Sequence, residues 1–586
     1  MPRGPHRGPR RGRAWRRDGI LAAGLVVLAI GLRLAGPDDL WDHAQPRTMA
    51  YAVDMVANGR WILPFDAEGH PATKPPLVPW LAAPAVAVLG PSGRVVHLIP
   101  SLGAVLLTVA ALWWAGRRWW PRAAADTGAV AVILWISSPL AGRTLVLARP
   151  DMVLTAAITV GWLAATIMVV ERPRAGELGR TSRRRWLQWG TYVGAAAAST
   201  LAKGPAALPL IVAAPAGAWL VRRATWPSPF GLGGPATLAA ILLPFAIWWN
   251  AAAAVDLTAV VRDVAGGEVF DRMRGAMPET RDAGPIRLLT TAGHLPAYLL
   301  ARHAPWSLVL LAALALHLRP GWARRPVRSN RAGRIATTMG LALIVATIAV
   351  FTLGAGKRAD YLAPCLPAAS LIAAAWLTSG DRRWHVRTPW LVPALAAALL
   401  AAAAVHARRP SNGIPAAAGP HLAAAVRAAM TEAERSGLPI ITLGSAEPSL
   451  AVRLGRVPDL DLGRHAALVA AGQPHILVHA DSLEAWFGHG PAAAGHASQR
   501  PGGLDLPTWL RLDPRIERIE VLAGPTRPDE SVRVAGAPGS PESAAAGNLG
   551  GFPGPDRRLI GTNWGVWTIL VVPKGRVFKQ ASPDSR

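Results

Sequence analysis

Cysteine is almost missing from this chain. Cys365 is the single one in 586 residues, which excludes an intramolecular disulfide and a cysteine-built metal cluster. Acidic residues are scarce too, 35 against 62 Lys and Arg, and Tyr and Phe are few, 4 and 8 beside 25 Trp. Neither a strand-linked G-x-G-x-x-G nor a Gly-x-x-x-x-Gly-Lys-Ser/Thr loop occurs, which removes the usual glycine cradles for a nucleotide. Cys365 itself sits in an apolar run and reads as a small core residue.

What the chain has in abundance is apolar residues, 51% of the total, gathered into runs such as Ile20 to Leu34, Met152 to Val170, Ala236 to Trp249 and Gly340 to Leu353. A bilayer core of about 30 Å takes roughly 20 such residues per helix. The pattern predicts an α-helical polytopic membrane protein with about eleven spans and about thirteen as the upper count. The formal charge of +27 does not point to nucleic acid, because the arginines fall in alternate loops: Arg3 to Arg17, Glu171 to Arg185, Arg222 and Arg223, Arg319 to Arg334, and Arg382 to Arg387. That is the positive-inside pattern of cytoplasmic loops. Residues 1–17 are then a basic cytoplasmic tail, and the basic start is expected to lead into a retained first span rather than a cleaved signal. Residues 18–406 form the membrane domain. The pattern places Asp38 to Lys74, Arg149 to Asp151, Lys203, Asp256 to Arg287 and Gly356 to Asp360 on the outer face, with Pro75 to Ala115 making one net crossing.

Beyond Ala407 the character changes. Leu438 to Leu443, His475 to His479, Ile516 to Leu522 and Val566 to Val572 read as strands, with helical segments between the early ones. Residues 407–586 are therefore expected to be a soluble extracytoplasmic α/β domain on a partly parallel sheet. The Gly-, Pro-, Ala- and Ser-rich stretch 524–555 reads as a long loop.

The outer-face polar groups are few and sharply placed. The first outer loop, 37–75, carries Asp38, Asp39, Asp42, Asp54, Asp66 and Glu68 beside Arg47, Arg60, His70 and Lys74. Asp151 follows Arg149 and Pro150 at the head of an apolar run, where Pro and Asp also suit a plain helix start. Lys203 interrupts an Ala-rich run just before Gly204 and Pro205; it is either an interfacial lysine or an anion ligand. Lys357 and Arg358 are cations on the face where positive charge is disfavoured, and Arg272 is the phosphate contact to pick from the third outer loop. Carboxylates facing cations suit transfer from a phosphorylated donor, and without a nucleotide loop that donor is a lipid phosphate reached from the membrane.

Several segments in order then carry a likeness: QPRTMAYAVDMVANGRWILP with GHPATKPPLVPWL, LARPDMVLT, LAKGPAAL, LPAYLLARHAPWSLVLL and GAGKRADYLAPCLPA. Over roughly residues 15 to 405 the chain resembles the family 39 glycosyltransferases of the GT-C superfamily, the group holding the lipid A aminoarabinose transferases and, more distantly, the protein O-mannosyltransferases. The resemblance implies a bacterial inner-membrane enzyme that moves a sugar from a polyprenyl-phosphate donor, often undecaprenyl phosphate, to a lipid or protein acceptor on the extracytoplasmic face. It implies inversion at the sugar carbon by a metal-assisted or metal-free displacement, which leaves no cofactor fixed and a divalent metal open. It also implies that Lys74, Lys203, Lys357 and Arg358 act near the donor phosphate and that Asp151 belongs to the site; Gln45, Arg47 and Tyr361 lie in the same matching segments and are carried as further site residues. The chain departs from the pattern where members carry an acidic pair before a Pro-Arg-Tyr-like triplet, because here the text is Ala44, Gln45, Pro46, Arg47, Thr48. Thr73 likewise precedes Lys74 where an acid is usual. Asp42 or Asp39 is expected to supply the missing carboxylate, Asp42 being favoured; a catalytically inactive relative and a polyprenyl-phosphate transporter or flippase are the alternatives.

Overall fold

The structure, a computed structural model, describes residues 9–35, 44–66, 71–91, 94–121, 123, 125–171, 182–222, 230–262, 264, 266, 293–317, 331–354, 357–379 and 391–407, then 440–443, 471, 475–482, 516–523 and 564–573. Fifteen α-helices are described: α1 (Pro9–Leu34), α2 (Ala44–Asn58), α3 (Leu77–Leu89), α4 (Arg94–Trp119), α5 (Thr127–Ile136), α6 (Pro139–Thr144), α7 (Pro150–Val170), α8 (Ser182–Lys203), α9 (Leu208–Arg222), α10 (Pro235–Ala259), α11 (His294–Arg302), α12 (Trp306–His317), α13 (Arg331–Thr352), α14 (Leu366–Ser379) and α15 (Leu391–Ala407). Two 3-10 turns, Gly204–Ala207 and Ala359–Cys365, interrupt the series.

Among the described residues, six helical stretches are long and apolar enough to cross a membrane, and α11 with α12, bent by 117°, makes one more. Leu77–Leu89, Thr127–Ile136 and Val392–Ala401 are apolar but shorter. The molecule is a multi-pass membrane protein, but its apolar runs are not all of spanning length, a difference that hydropathy alone does not register. α3 has 13 residues with Pro84 inside and stops at Gly90, whose φ of 84° ends the helix, so it falls short of the roughly 20 residues a crossing takes. Among the described residues of Pro75 to Ala115, α4 alone is long and apolar enough to cross. The longest stretch, Arg183–Val221, is two helices that double back at Gly204, φ 56°. A Cβ on Gly161 of α7 would lie 2.6 Å from Leu210 on α9 and 3.4 Å from Ala195 on α8. Residues on either side of the break thus meet α7 at one level.

Helices in lipid gain little from excluding water from one another, so they approach on small residues. α4 meets α5 at such a contact. A Cβ on Gly116 would stand 2.2 Å from the Gly128 nitrogen, and one on Gly128 would stand 2.4 Å from the Trp113 oxygen. At the same end Asp126 caps α5, its Oδ1 accepting from Gly128 N at 3.0 Å and Ala129 N at 3.2 Å. Its Oδ2 takes Arg117 Nε at 2.7 Å and Trp113 Nε1 at 3.0 Å, and Asp126 N donates to Asp18 of α1 at 3.2 Å. Glu171, just past α7, gathers Arg118 and Arg184, each at 3.0 Å, and Gln188 at 2.9 Å. The arginines at the end of α4 and the start of α8 therefore share one end of the bundle.

The four strands, β1 (Ile440–Leu443), β2 (His475–Ser482), β3 (Ile516–Ala523) and β4 (Trp564–Pro573), form a sheet of order β1-β2-β4-β3. β1 runs parallel to β2, while β4 is antiparallel to β2 and to β3. This is the partly parallel sheet read from the sequence, with Ser482 closing β2 instead of opening a helix. The stretch 524–555 and the segments expected as helices between the early strands, apart from Ala471 and Ser482, lie outside the described residues.

Gly116→Ala tests the helix crossing. Alanine gains up to about 1 kcal/mol of helix propensity, but overpacking against a backbone that cannot rotate away costs about 1–3 kcal/mol. We expect Gly116→Ala and Gly128→Ala to lower the melting temperature in detergent, and Gly24→Ala, with no atom within 4 Å of its Cβ, not to lower it. Equal melting of all three would show that the contact does not hold α4 on α5.

Candidate active site

At the other end of α7 the backbone is set by Arg149, the N-cap in extended conformation, and Pro150 at the first helical position. Asp151 in the first turn is 5% exposed. A lone carboxylate in that setting is costly, and it is answered by Lys203, the last residue of α8, whose Nζ lies 2.5 Å from Asp151 Oδ1. Gly204 lets the chain turn directly behind the lysine. Arg149 and Lys74 add positive potential at Asp151 after Lys203.

The 3-10 turn Ala359–Cys365 closes the cluster from the far end of the sequence. Arg149 Nη1 stands 3.7 Å from Asp360 Oδ2, with both side chains largely buried. Lys203 Nζ lies 5.6 Å from the centre of the Tyr361 ring, a cation–π contact, and that ring stacks on Phe351 at 4.6 Å and 14°. From the first loop, Gln45 Oε1 accepts the Ala148 amide at 3.0 Å, tying α2 to the segment that enters α7.

Of the residues expected at the site, Asp151, Lys203, Lys74 and Tyr361 come together. Gln45 reaches the same segment through a backbone bond. Arg47 instead pairs with buried Asp66 at 2.8 Å, folding the loop on itself. Asp54 does the same, accepting from Asn58 at 2.6 Å and from Phe65 N at 2.8 Å. Lys357 donates to the carbonyls of Thr352 and Gly354, closing the open end of α13, and no described contact carries its ammonium to Asp151. Arg358 is exposed beside it. Asp38, Asp39, Asp42 and Arg272 lie outside the described residues.

Arg149 and Asp360 were not singled out as site residues. The signals were there: Arg149 stands two residues before Asp151, and Asp360 adjoins Tyr361, but their pairing spans 211 positions that no local pattern links. Among the described residues no group of three or more His, Cys, Asp or Glu is placed to hold a metal. The cluster as described does not fit a divalent cation, since Asp151 is already bonded to Lys203 and faces Arg149 and Lys74 as well. It fits a multiply charged anion, for which the three cations outnumber the two carboxylates.

No family model matches the sequence, and no curated protein matches it. Solved structures do. ArnT from Cupriavidus metallidurans bound to undecaprenyl phosphate aligns at 16% identity and TM-score 0.52, over 82% of this chain and 95% of that one. The same protein in the apo state gives 16% and 0.53, over 78% and 93%. An Archaeoglobus fulgidus oligosaccharyltransferase tethered with an acceptor peptide aligns at 12% identity and TM-score 0.46, over 82% and 71%. At such identity the match speaks for architecture alone, and the chain has the fold of the ArnT structures.

Proposed function

We propose that the chain is a membrane glycosyltransferase that moves a sugar from a polyprenyl-phosphate donor to a lipid or protein acceptor on the extracytoplasmic face of a bacterial cell membrane. The observation that carries this reading is the buried Asp151–Lys203 pair with Arg149 and Lys74 around it, on a fold shared with an ArnT structure that holds undecaprenyl phosphate. Lys203, Lys74 and Arg149 take the donor phosphate, as charge-assisted donors do for phosphate oxygens. The acceptor attacks the sugar carbon, the bond to the phosphate oxygen breaks with inversion, and the cations hold the charge that grows on that oxygen. The acceptor proton passes to a carboxylate of the first loop, Asp42 in this reading. Arg272, Lys357 and Arg358 complete the outer positive face, on which the C-terminal domain, 407–586, also lies.

A second reading has one observation in its favour: Ala44 and Gln45 stand where an acidic pair is expected, and Gln45 is engaged with the Ala148 backbone. In that reading the chain binds the lipid phosphate without transferring sugar.

Proteoliposomes given a polyprenyl-phosphate-linked sugar and membrane acceptors separate the two. We expect transfer by the native chain and a loss of about 100-fold or more in Lys203→Ala. Removing one partner of a buried pair also costs about 3–5 kcal/mol, so the double variant Asp151→Asn with Lys203→Met serves as the fold control: native-like melting with no transfer. Transfer at the native rate in the double variant would overturn the site. Asp42→Asn is expected to abolish transfer while retaining lipid-phosphate binding, and Asp39→Asn to leave transfer within a few-fold. The reverse order would assign the base to Asp39, and binding without transfer in the native chain would favour the second reading.

A further inference from the structure

The opposite end of the bundle carries a groove that the proposed reaction does not use. It lies between α9 and the start of α10, has a volume of about 500 Å³, and is lined by Ile211, Val212, Pro215, Ala216, Trp219 and Leu238. That is the size range of small-ligand sites, yet the lining is apolar, and Trp219 is 63% exposed to the surroundings of a membrane-spanning segment.

Beside this groove α8 packs against the corner that leads into α10. Trp189 Nε1 donates to Thr237 Oγ1 at 2.9 Å, and the Tyr192 hydroxyl to the Leu232 carbonyl at 3.3 Å, pinning the corner that leads into α10. Trp186, Trp189 and Phe230 meet edge to face at centroid distances of 5.4, 5.2 and 5.8 Å, a cluster suited to headgroup depth. The first turn of α8 exposes Arg183, Arg184 and Arg185. Arg184 is taken by Glu171, while Arg183 and Arg185 have no ion pair or side-chain hydrogen bond among the described residues. Arg185 precedes Trp189 by four residues and so stands on its face of the helix, the face turned to Thr237. The apolar groove reaches Leu238, next to the Thr237 that Trp189 bonds, and Arg185 stands one turn before Trp189 on α8.

We propose that this groove is a binding site for one anionic phospholipid, with an acyl chain between α9 and α10 and the headgroup phosphate on Arg183 and Arg185. Charge selects the occupant: a zwitterionic lipid fills the slot equally well but gains less from the arginines, and the leaflet at this end is the one whose anionic lipids basic loops attract. The site is independent of the glycosyltransfer reading.

The full chain, purified in detergent and stripped of lipid, is titrated with dioleoylphosphatidylglycerol or dioleoylphosphatidylcholine, and bound lipids are counted by native mass spectrometry. We expect one phosphatidylglycerol held at least about tenfold more tightly than phosphatidylcholine, and that preference lost in the exposed double variant Arg183→Ala with Arg185→Ala. Ala216→Trp, which fills the slot and leaves the arginines in place, weakens both lipids. Equal binding of the two lipids by the native chain, or native binding of phosphatidylglycerol by the arginine variant, overturns the proposal. So does displacement of phosphatidylglycerol by an uncharged polyprenol, which would make the groove an isoprenoid site.

Discussion

Burying a carboxylate in an apolar bundle is the constraint around which this structure is arranged. Asp151 could be accommodated only by a cation delivered to within hydrogen-bond reach, and the chain supplies Lys203 from the tip of a helical hairpin. That requirement explains the abrupt end of α8. A lysine placed mid-helix would face lipid or the neighbouring helix, whereas at a break its ammonium can point back to the start of α7. Gly204, with positive φ, is the residue that permits the reversal without a Cβ clash. The 3-10 turn then brings Asp360 to Arg149 and Tyr361 to Lys203, so the surplus of positive charge is itself balanced and shaped.

α7 is charged at both ends and apolar between. Glu171 gathers Arg118, Arg184 and Gln188 at one end, while Asp151 holds Lys203 at the other. The two networks differ in kind. The arginines on Glu171 are mostly exposed, so these pairs contribute little energy but define the depth of the bundle. The Asp151 pair is buried, so desolvation of both charges offsets most of their attraction, while losing one partner alone is costly.

How much of this was legible in the sequence follows from where the information lies. Asp151 and Lys203 stood out because an ionisable residue inside an apolar run is costly enough to be noticed. The strands of the C-terminal sheet stood out because short β-branched runs between turn residues have few other readings. The Arg149–Asp360 pair did not stand out, since each partner has an ordinary local context. The first loop is read in part. Asp54 and Asp66 hold the loop's own fold, bonded to Asn58, Phe65 and Arg47, while Asp39 and Asp42 lie outside the described residues. Lys357 stood out because it violates the charge rule for its face; that it also donates to two carbonyls left open at the end of α13 was not legible. Hydropathy likewise registers α3 and α5 as apolar without registering that they are too short to cross.

The Gln45 amide oxygen on the Ala148 nitrogen has a mechanical meaning. It is a crosslink between two segments 103 residues apart, made where α2 enters the bundle and one turn short of Asp151. The bond ties the start of α2 to the approach to α7, so neither can shift relative to the other without breaking it. A glutamate in place of Gln45 would bring a charge to that bond, whereas the amide leaves the local field to Lys203 and Arg149.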